Sequence, residues 1–133
     1  MRVSDLMQKN VRMISPEASV AELVQAMADS RVSGLPVVTP RGHVVGVVSA
    51  TDVLQASAEP DDARALEVLF EHQMVRDLMT PKPYTIQPDA DVRDAAKHML
   101  YADVRRLFVE DNGRIVGVIS QTDIAHAVGA GRI

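Results

Sequence analysis

The sequence predicts a mixed α/β (α+β) protein made of two tandem β-α-β-β-α repeats, and three observations lead there. The first is duplication. Asp5-Leu6-Met7 recurs as Asp77-Leu78-Met79, a shift of 72 residues from Met7 to Met79, and Pro16/Pro88, Val20/Val92 and Met27/Met99 keep the same shift. The second is the grammar inside each copy, where a helical apolar period gives way to short β-rich runs around turn residues. The third is a phrase spelled twice, GVVSATD (Gly46 to Asp52) and GVISQTD (Gly117 to Asp123). Here the shift is 71, because the preceding loop differs by one residue.

Each copy opens with the Asp-Leu-Met segment and a short strand carrying Ile14 or Ile86. Ser19-Val20-Ala21-Glu22 then reads as a capping box, with serine at the N-cap and glutamate three residues on. The helix it opens carries Val20, Leu23, Val24 and Met27 at the helical period. In the second copy Asp91 is the cap, and Val92, Ala95, Ala96 and Met99 form the stripe. Two strands follow around a turn: LPVV and HVVGVVS flank Thr39-Pro40-Arg41-Gly42, while RLFVE and RIVGVIS flank Asp111-Asn112-Gly113. Asn-Gly between apolar runs is a strong hairpin signal. A last helix starts at each SxTD and runs through Val53-Leu54 or Ile124-Ala125.

These boundaries give repeat 1 at residues 1–58, a linker at 59–74 and repeat 2 at 75–133. The linker begins with polar Glu59, Pro60, Asp61 and Asp62. Leu66, Leu69, Phe70 and Met74 then recur near the helical period, which predicts a helix docked by its apolar stripe. A unit of about 60 residues buries only about 60% of its unfolded surface and is marginal alone. Two copies packed with their small sheets face to face meet that need.

Composition narrows the function classes. Of 133 residues 47% are hydrophobic, 24% charged and 3% aromatic, so the core rests on Val, Leu, Ile, Ala and Met. A formal charge of −4 argues against general nucleic-acid binding. An anionic ligand must be met locally, by a few arginines or by backbone amides. There is no cysteine, hence no disulfide or thiolate site. No apolar run long enough to span a membrane and no signal-peptide pattern occur, and a cytoplasmic protein is expected.

Paired DLM openings, a capped helix, LPVV, a hairpin and GhhSxTD, all duplicated, resemble a CBS domain pair, also called a Bateman module. The match runs from Val3 to about Val128, which is the pattern of a stand-alone pair. The resemblance implies two repeats related by a pseudo-twofold axis and an adenosine-containing ligand in the cleft between them. AMP, ADP and ATP lead among such ligands, with S-adenosylmethionine or NAD as alternatives. It also implies a homodimer, an effector protein that reads the bound state, and no enzymatic activity or required cofactor.

In this family the motif aspartate holds ribose and its neighbouring hydroxyls meet phosphate, which carries over to Asp52 and Asp123, and to Ser49, Thr51, Ser120 and Thr122. The chemistry is sound: a carboxylate can accept hydrogen bonds from both hydroxyls of a ribose diol, and a helix N-terminus offers free amides to phosphate. Ser-x-Thr-Asp is equally a good helix start, so the motif supports a purely structural cap and a ligand-free dimerisation or scaffold module as well. The second copy adds Arg105-Arg106 where the first has Ser33-Gly34. This pair is similar to the basic pair that reaches phosphate in nucleotide-sensing members, and a solvated charge pair at the strand edge is the alternative. By position in the repeat, Ile14, Val37, Thr85, Ile86 and Val109 are the candidates to wall an adenine pocket, with core packing the competing and favoured role for the aliphatics. Phe108, in place of the proline of LPV, either narrows that pocket or stacks on a base.

Four histidines (His43, His72, His98, His126) lack metal-ligand spacing, and no metal site is expected. No nucleophile–base arrangement can be nominated. The glycines of the tail VGAGRI lack a preceding strand and a following helix, so the tail is expected to fray.

Overall fold

The computed structural model describes residues 1–58, 62–81 and 84–133. Glu59, Pro60 and Asp61 of the expected linker therefore lie outside the described residues. In chain order the elements are α1 (Val3–Leu6), α2 (Val20–Ser30), β1 (Gly34–Val38), β2 (Val44–Ser49), α3 (Ala50–Ala58) and α4 (Ala63–His72). There follow α5 (Val75–Leu78), β3 (Thr80–Pro81), β4 (Thr85–Ile86), α6 (Val92–Ala102), β5 (Arg106–Asp111), β6 (Arg114–Ser120) and α7 (Gln121–Gly129). The class is α+β. Among the described residues no helix is long and apolar enough to cross a membrane.

The compact units do not coincide with the sequence repeats. One unit is Arg12–Pro83; the other joins Met1–Val11 to Tyr84–Ile133. The opening segment of each repeat thus completes the unit built on the other repeat. In the first unit β1 pairs antiparallel with β2, and β3 adds to the far edge of β2 with Val47 opposite Thr80 and Gly46 opposite Pro81. In the second unit β4 runs parallel to β5, and β5 pairs antiparallel with β6. Gln8 takes the place of β3 there, exchanging backbone hydrogen bonds of 2.8 and 2.9 Å with Val118.

The DLM segments owe their sequence to this docking. Asp5 Oδ2 accepts the Arg2 N–H at 2.8 Å and Asp77 Oδ2 accepts the Met74 N–H at 3.0 Å, closing the first turns of α1 and α5. Leu6 and Met7 pack against the core of one unit, Leu78 and Met79 against that of the other. The repeated glycine is also explained here. A Cβ on Gly117 would lie 2.6 Å from Met7 Sδ and 2.9 Å from the Gln8 carbonyl oxygen. On Gly46 it would lie 2.8 Å from both Met79 Sδ and the Thr80 carbonyl oxygen. Only glycine lets the docking segment come that close.

Each unit has its own core. Leu23, Met27, Leu35, Val37, Val48 and Val75 form one; Val3, Ala95, Met99, Leu107, Val109 and Ile119 form the other. Burial of each large aliphatic side chain contributes about 1.5–3 kcal/mol. Ser19 caps α2, its Oγ accepting the Glu22 N–H at 3.1 Å, and Asp91 caps α6 by accepting the Arg93 N–H at 2.8 Å. The α2 stripe is rotated from the sequence expectation: Ala26 is buried and Val24 is exposed, because the buried face centres on Leu23 and leaves Val24 at its rim. The Asn112-Gly113 turn has φ of 53° and 82°, the two left-handed residues of a type I′ hairpin.

Two other expectations are adjusted. Ile14 forms a single parallel bridge to Val37 rather than a strand. The linker helix α4 is capped by Asp62, whose Oδ1 accepts the Ala65 N–H at 2.8 Å, and it buries Leu69. Met74 lies beyond its end, bridged to Ser19.

Two tests follow from the docking geometry. Gly117→Ala should lower the unfolding free energy by about 1–3 kcal/mol, since backbone must move to admit the methyl. Gly129→Ala, with open space around it, should not lower it in the same urea titration. A fragment of residues 1–58 lacks α5, β3 and Val75, and should show the narrow amide dispersion of an unfolded chain. A 12–83 fragment, which holds one whole unit, should show dispersed amides.

Candidate functional site

The SxTD turn is where each unit converts a strand into a helix. In the second unit the Ser120 N–H donates to Asp123 Oδ2 at 2.9 Å, and the Asp123 N–H donates back to Ser120 Oγ at 3.1 Å. In the first, the Ser49 N–H donates to Asp52 Oδ2 at 2.8 Å, with the Ser49 hydroxyl 3.2 Å from that oxygen and 3.4 Å from the Asp52 nitrogen. This is a reciprocal capping box with aspartate at the third helical position. It occupies the serine and one oxygen of each carboxylate. Asp52 and Asp123 are half-buried, and among the described residues their Oδ1 atoms carry no hydrogen bond. Thr51 and Thr122 stay outside the cap and are exposed.

Strand register brings the basic pair to the same turn. Arg106 lies directly opposite Ser120 across β5 and β6, and the Gln121 N–H donates to the Arg105 carbonyl at 2.9 Å. The first unit repeats this backbone with Gly34 opposite Ser49 and the Ala50 N–H donating to the Ser33 carbonyl at 2.8 Å. The two turns thus share a backbone and differ in charge. Leu107 and Val109 alternate into the core, which sends Arg106 and Phe108 to the opposite face of the sheet. Both arginines are exposed, whereas Phe108 is buried.

The aliphatic candidates divide. Val37 and Val109 are 0% exposed and Ile14 is 8% exposed, each within the core of its own unit. Alternation along β1 and β5 turns Val37 and Val109 toward the helices, and Ile14, bridged to Val37, packs with them in the core of the first unit. Thr85 and Ile86 are half-buried in β4, opposite Phe108 and Val109. They line an open cavity of about 610 Å³ with Asp94, His98 and Glu110. Tyr84 meets His98 edge-on, with ring centroids 5.8 Å apart. Two carboxylates make this cavity unfavourable for phosphate.

Asp123 lines a different cavity, of about 340 Å³, shared with Leu6, His126, Ala127, Ala130 and Arg132. Thr85 and Ile86 thus line one cavity and Asp123 another. Sequence reasoning weighed His126 only as a metal ligand and missed Arg132, because the tail was expected to fray. Instead the Gly131 N–H donates to Val128 and the Arg132 N–H to Ala127, at 3.0 and 2.9 Å, with Gly131 at φ 73°. This is a Schellman cap. The signal was present as a glycine two residues beyond the last helical turn. Among the described residues no group of three or more histidines and carboxylates could hold a metal ion.

Comparison with known proteins places this architecture. The CBS domain family model matches residues 3–59 and 75–130. The chloroplastic CBS domain-containing protein CBSX1 of Arabidopsis thaliana is 26% identical over 141 residues, covering 90% of this chain and 60% of its own length. Protein MJ1232 of Methanocaldococcus jannaschii is 36% identical over 124 residues, covering 92% of this chain and 38% of its own length. The chain thus spans less than two thirds of these relatives. The crystal structure of Arabidopsis CBSX2 in complex with AMP matches with a TM-score of 0.83 and 29% identity, over 99% of this chain and 98% of that one. With both repeats matched and the fold shared, the chain belongs to the CBS domain family.

Proposed function

We propose that this chain is a non-enzymatic regulatory module that binds an adenosine nucleotide of the AMP type, with the ribose diol on Asp123. The observation that carries this reading is the state of the Asp123 carboxylate. It is half-buried at the edge of a cavity and held in place through Oδ2, with Oδ1 left to accept from a ligand. Held rigidly by the cap, it loses little freedom on binding. Thr122 and the α7 N-terminus supply further donors, and Arg105 and Arg106 raise the positive potential beside them. The AMP complex of the family member CBSX2 supports the choice of ligand class.

Asp52 has the same cap but faces Ser33 and Gly34 in place of arginines, so the second repeat is the better site. No cofactor is needed for such a role. Binding regulates by differential affinity for two states of the module, read by an effector protein.

The test is a thermal-shift panel with AMP, ADP, ATP, NAD and S-adenosylmethionine on wild type, Asp123→Ala and Asp52→Ala. A ligand at about 100 times its Kd should stabilise by roughly 2.7 kcal/mol, a rise of about 3–6 °C for a chain of this size. Both variants lose an equivalent cap hydrogen bond, worth about 0.5–1.5 kcal/mol. Only Asp123→Ala should also lose the ligand shift. If none of the five compounds shifts the wild type, the fold serves as a ligand-free scaffold and SxTD is a helix cap alone.

A further inference from the structure

We propose that Arg132, seconded by His126, recognises the anionic end of the ligand in the Asp123 cavity and so sets a preference for phosphorylated over unphosphorylated adenosine. This deepens the function proposed above and rests on it. Arg105 and Arg106 sit beside Ser120, yet neither lines the cavity that holds Asp123. The basic side chains that do line it are the Arg132 guanidinium and the His126 imidazole. Its volume, about 340 Å³, lies at the small end of the range for ligand sites, about 300–1,000 Å³.

The geometry follows from one face of α7. Asp123, His126, Ala127 and Ala130 recur at the helical period, with the carboxylate in the first turn and the imidazole one turn on. Beyond them the Schellman cap reverses the chain and fixes the backbone of Arg132 by the 2.9 Å hydrogen bond to Ala127. The small Ala127 and Ala130 leave the room, and Leu6 of α1 supplies an apolar side. A carboxylate and a guanidinium along one cavity suit a ligand with hydroxyls at one end and phosphate at the other. A phosphate near Asp123 alone would be repelled, whereas the planar fork of arginine takes phosphate oxygens bidentately.

The duplication shows that this charge pattern is not a copied structural need. At the same shift of 71, the first-repeat counterpart of His126 in sequence is Gln55, while Arg132 lies beyond the matched repeat. An amide stands where the second repeat has an imidazole, and the arginine belongs to the second repeat's tail alone. Cations at a helix C-terminus also gain from the helix dipole, so the test must read ligand charge rather than stability.

Calorimetric titration of AMP and of adenosine into wild type, Arg132→Gln and Asp123→Ala provides that reading. Wild type should bind AMP at least about tenfold more tightly than adenosine, the scale of one charge-assisted contact. Arg132→Gln should bring AMP close to adenosine and leave adenosine itself within about twofold. Arg132→Lys should recover part of the difference, and Asp123→Ala should lose both ligands. An AMP-to-adenosine ratio that is near one in wild type, or unchanged in Arg132→Gln, overturns the role of Arg132 and leaves the proposed function standing. If neither ligand binds wild type, both fall together.

Discussion

A reciprocal pair of hydrogen bonds between Ser120 and Asp123 turns a buried strand into an exposed helix, and the candidate site hangs on that turn. The strand must keep Ile119 in the core while the helix leaves the sheet within one residue, so the free amides at the helix start need immediate partners. Serine and aspartate provide them from within the motif itself. The same bonds hold the carboxylate at the cavity edge and leave one oxygen for another use. The cap thus fixes the carboxylate and leaves its second oxygen outside the capping bonds.

The second constraint is the exchange of opening segments. Met7 and Gln8 close over Gly117, and Met79 and Thr80 close over Gly46, at distances that exclude any side chain. Each unit takes its last strand-like pairing from the other repeat's sequence, so the covalent repeat is not the folding unit. Val3 and Val75, both fully buried, belong to these exchanged segments and make the docking part of the core. The duplicated phrases thus read as one device. Asp-Leu-Met caps, packs and covers; the glycine admits it; Ser-x-Thr-Asp then starts the helix.

Much of this was legible in the sequence because it is periodic or local. The helices from Val20 and Val92, the Asn112-Gly113 hairpin and the helix starts at SxTD each depend on residues within one or two turns of each other. The exchange was not legible: Asp-Leu-Met fits a repeat opening equally well whichever sheet it joins. The strand pattern left open whether Val37 and Val109 face the core for a related reason. Alternation in a strand says that two faces differ, and only the packed helices decide which one is the core. The tail was misread because a glycine near a chain end signals fraying and a Schellman cap alike. Only the bonds from Gly131 and Arg132 back into α7 tell them apart.

The two repeats also act as controls for each other. Their strand-to-helix turns have matching backbone bonds and matching caps, so fold alone accounts for what Asp52 and Asp123 share. Fold does not account for how they differ: Arg105 and Arg106 against Ser33 and Gly34, with His126 and Arg132 further along. Exposed cations contribute little to stability by themselves. Arg105 and Arg106 give one of two equivalent turns a charge that the other lacks, while His126 and Arg132 line the cavity beyond it. The cavity at that turn is built from α1, α7 and the capped tail, three pieces that meet in one unit. An occupant touching all three favours the docked state of α1 by as much as it prefers that state, and linkage requires the converse. That segment is the one whose docking the glycine at 117 makes possible.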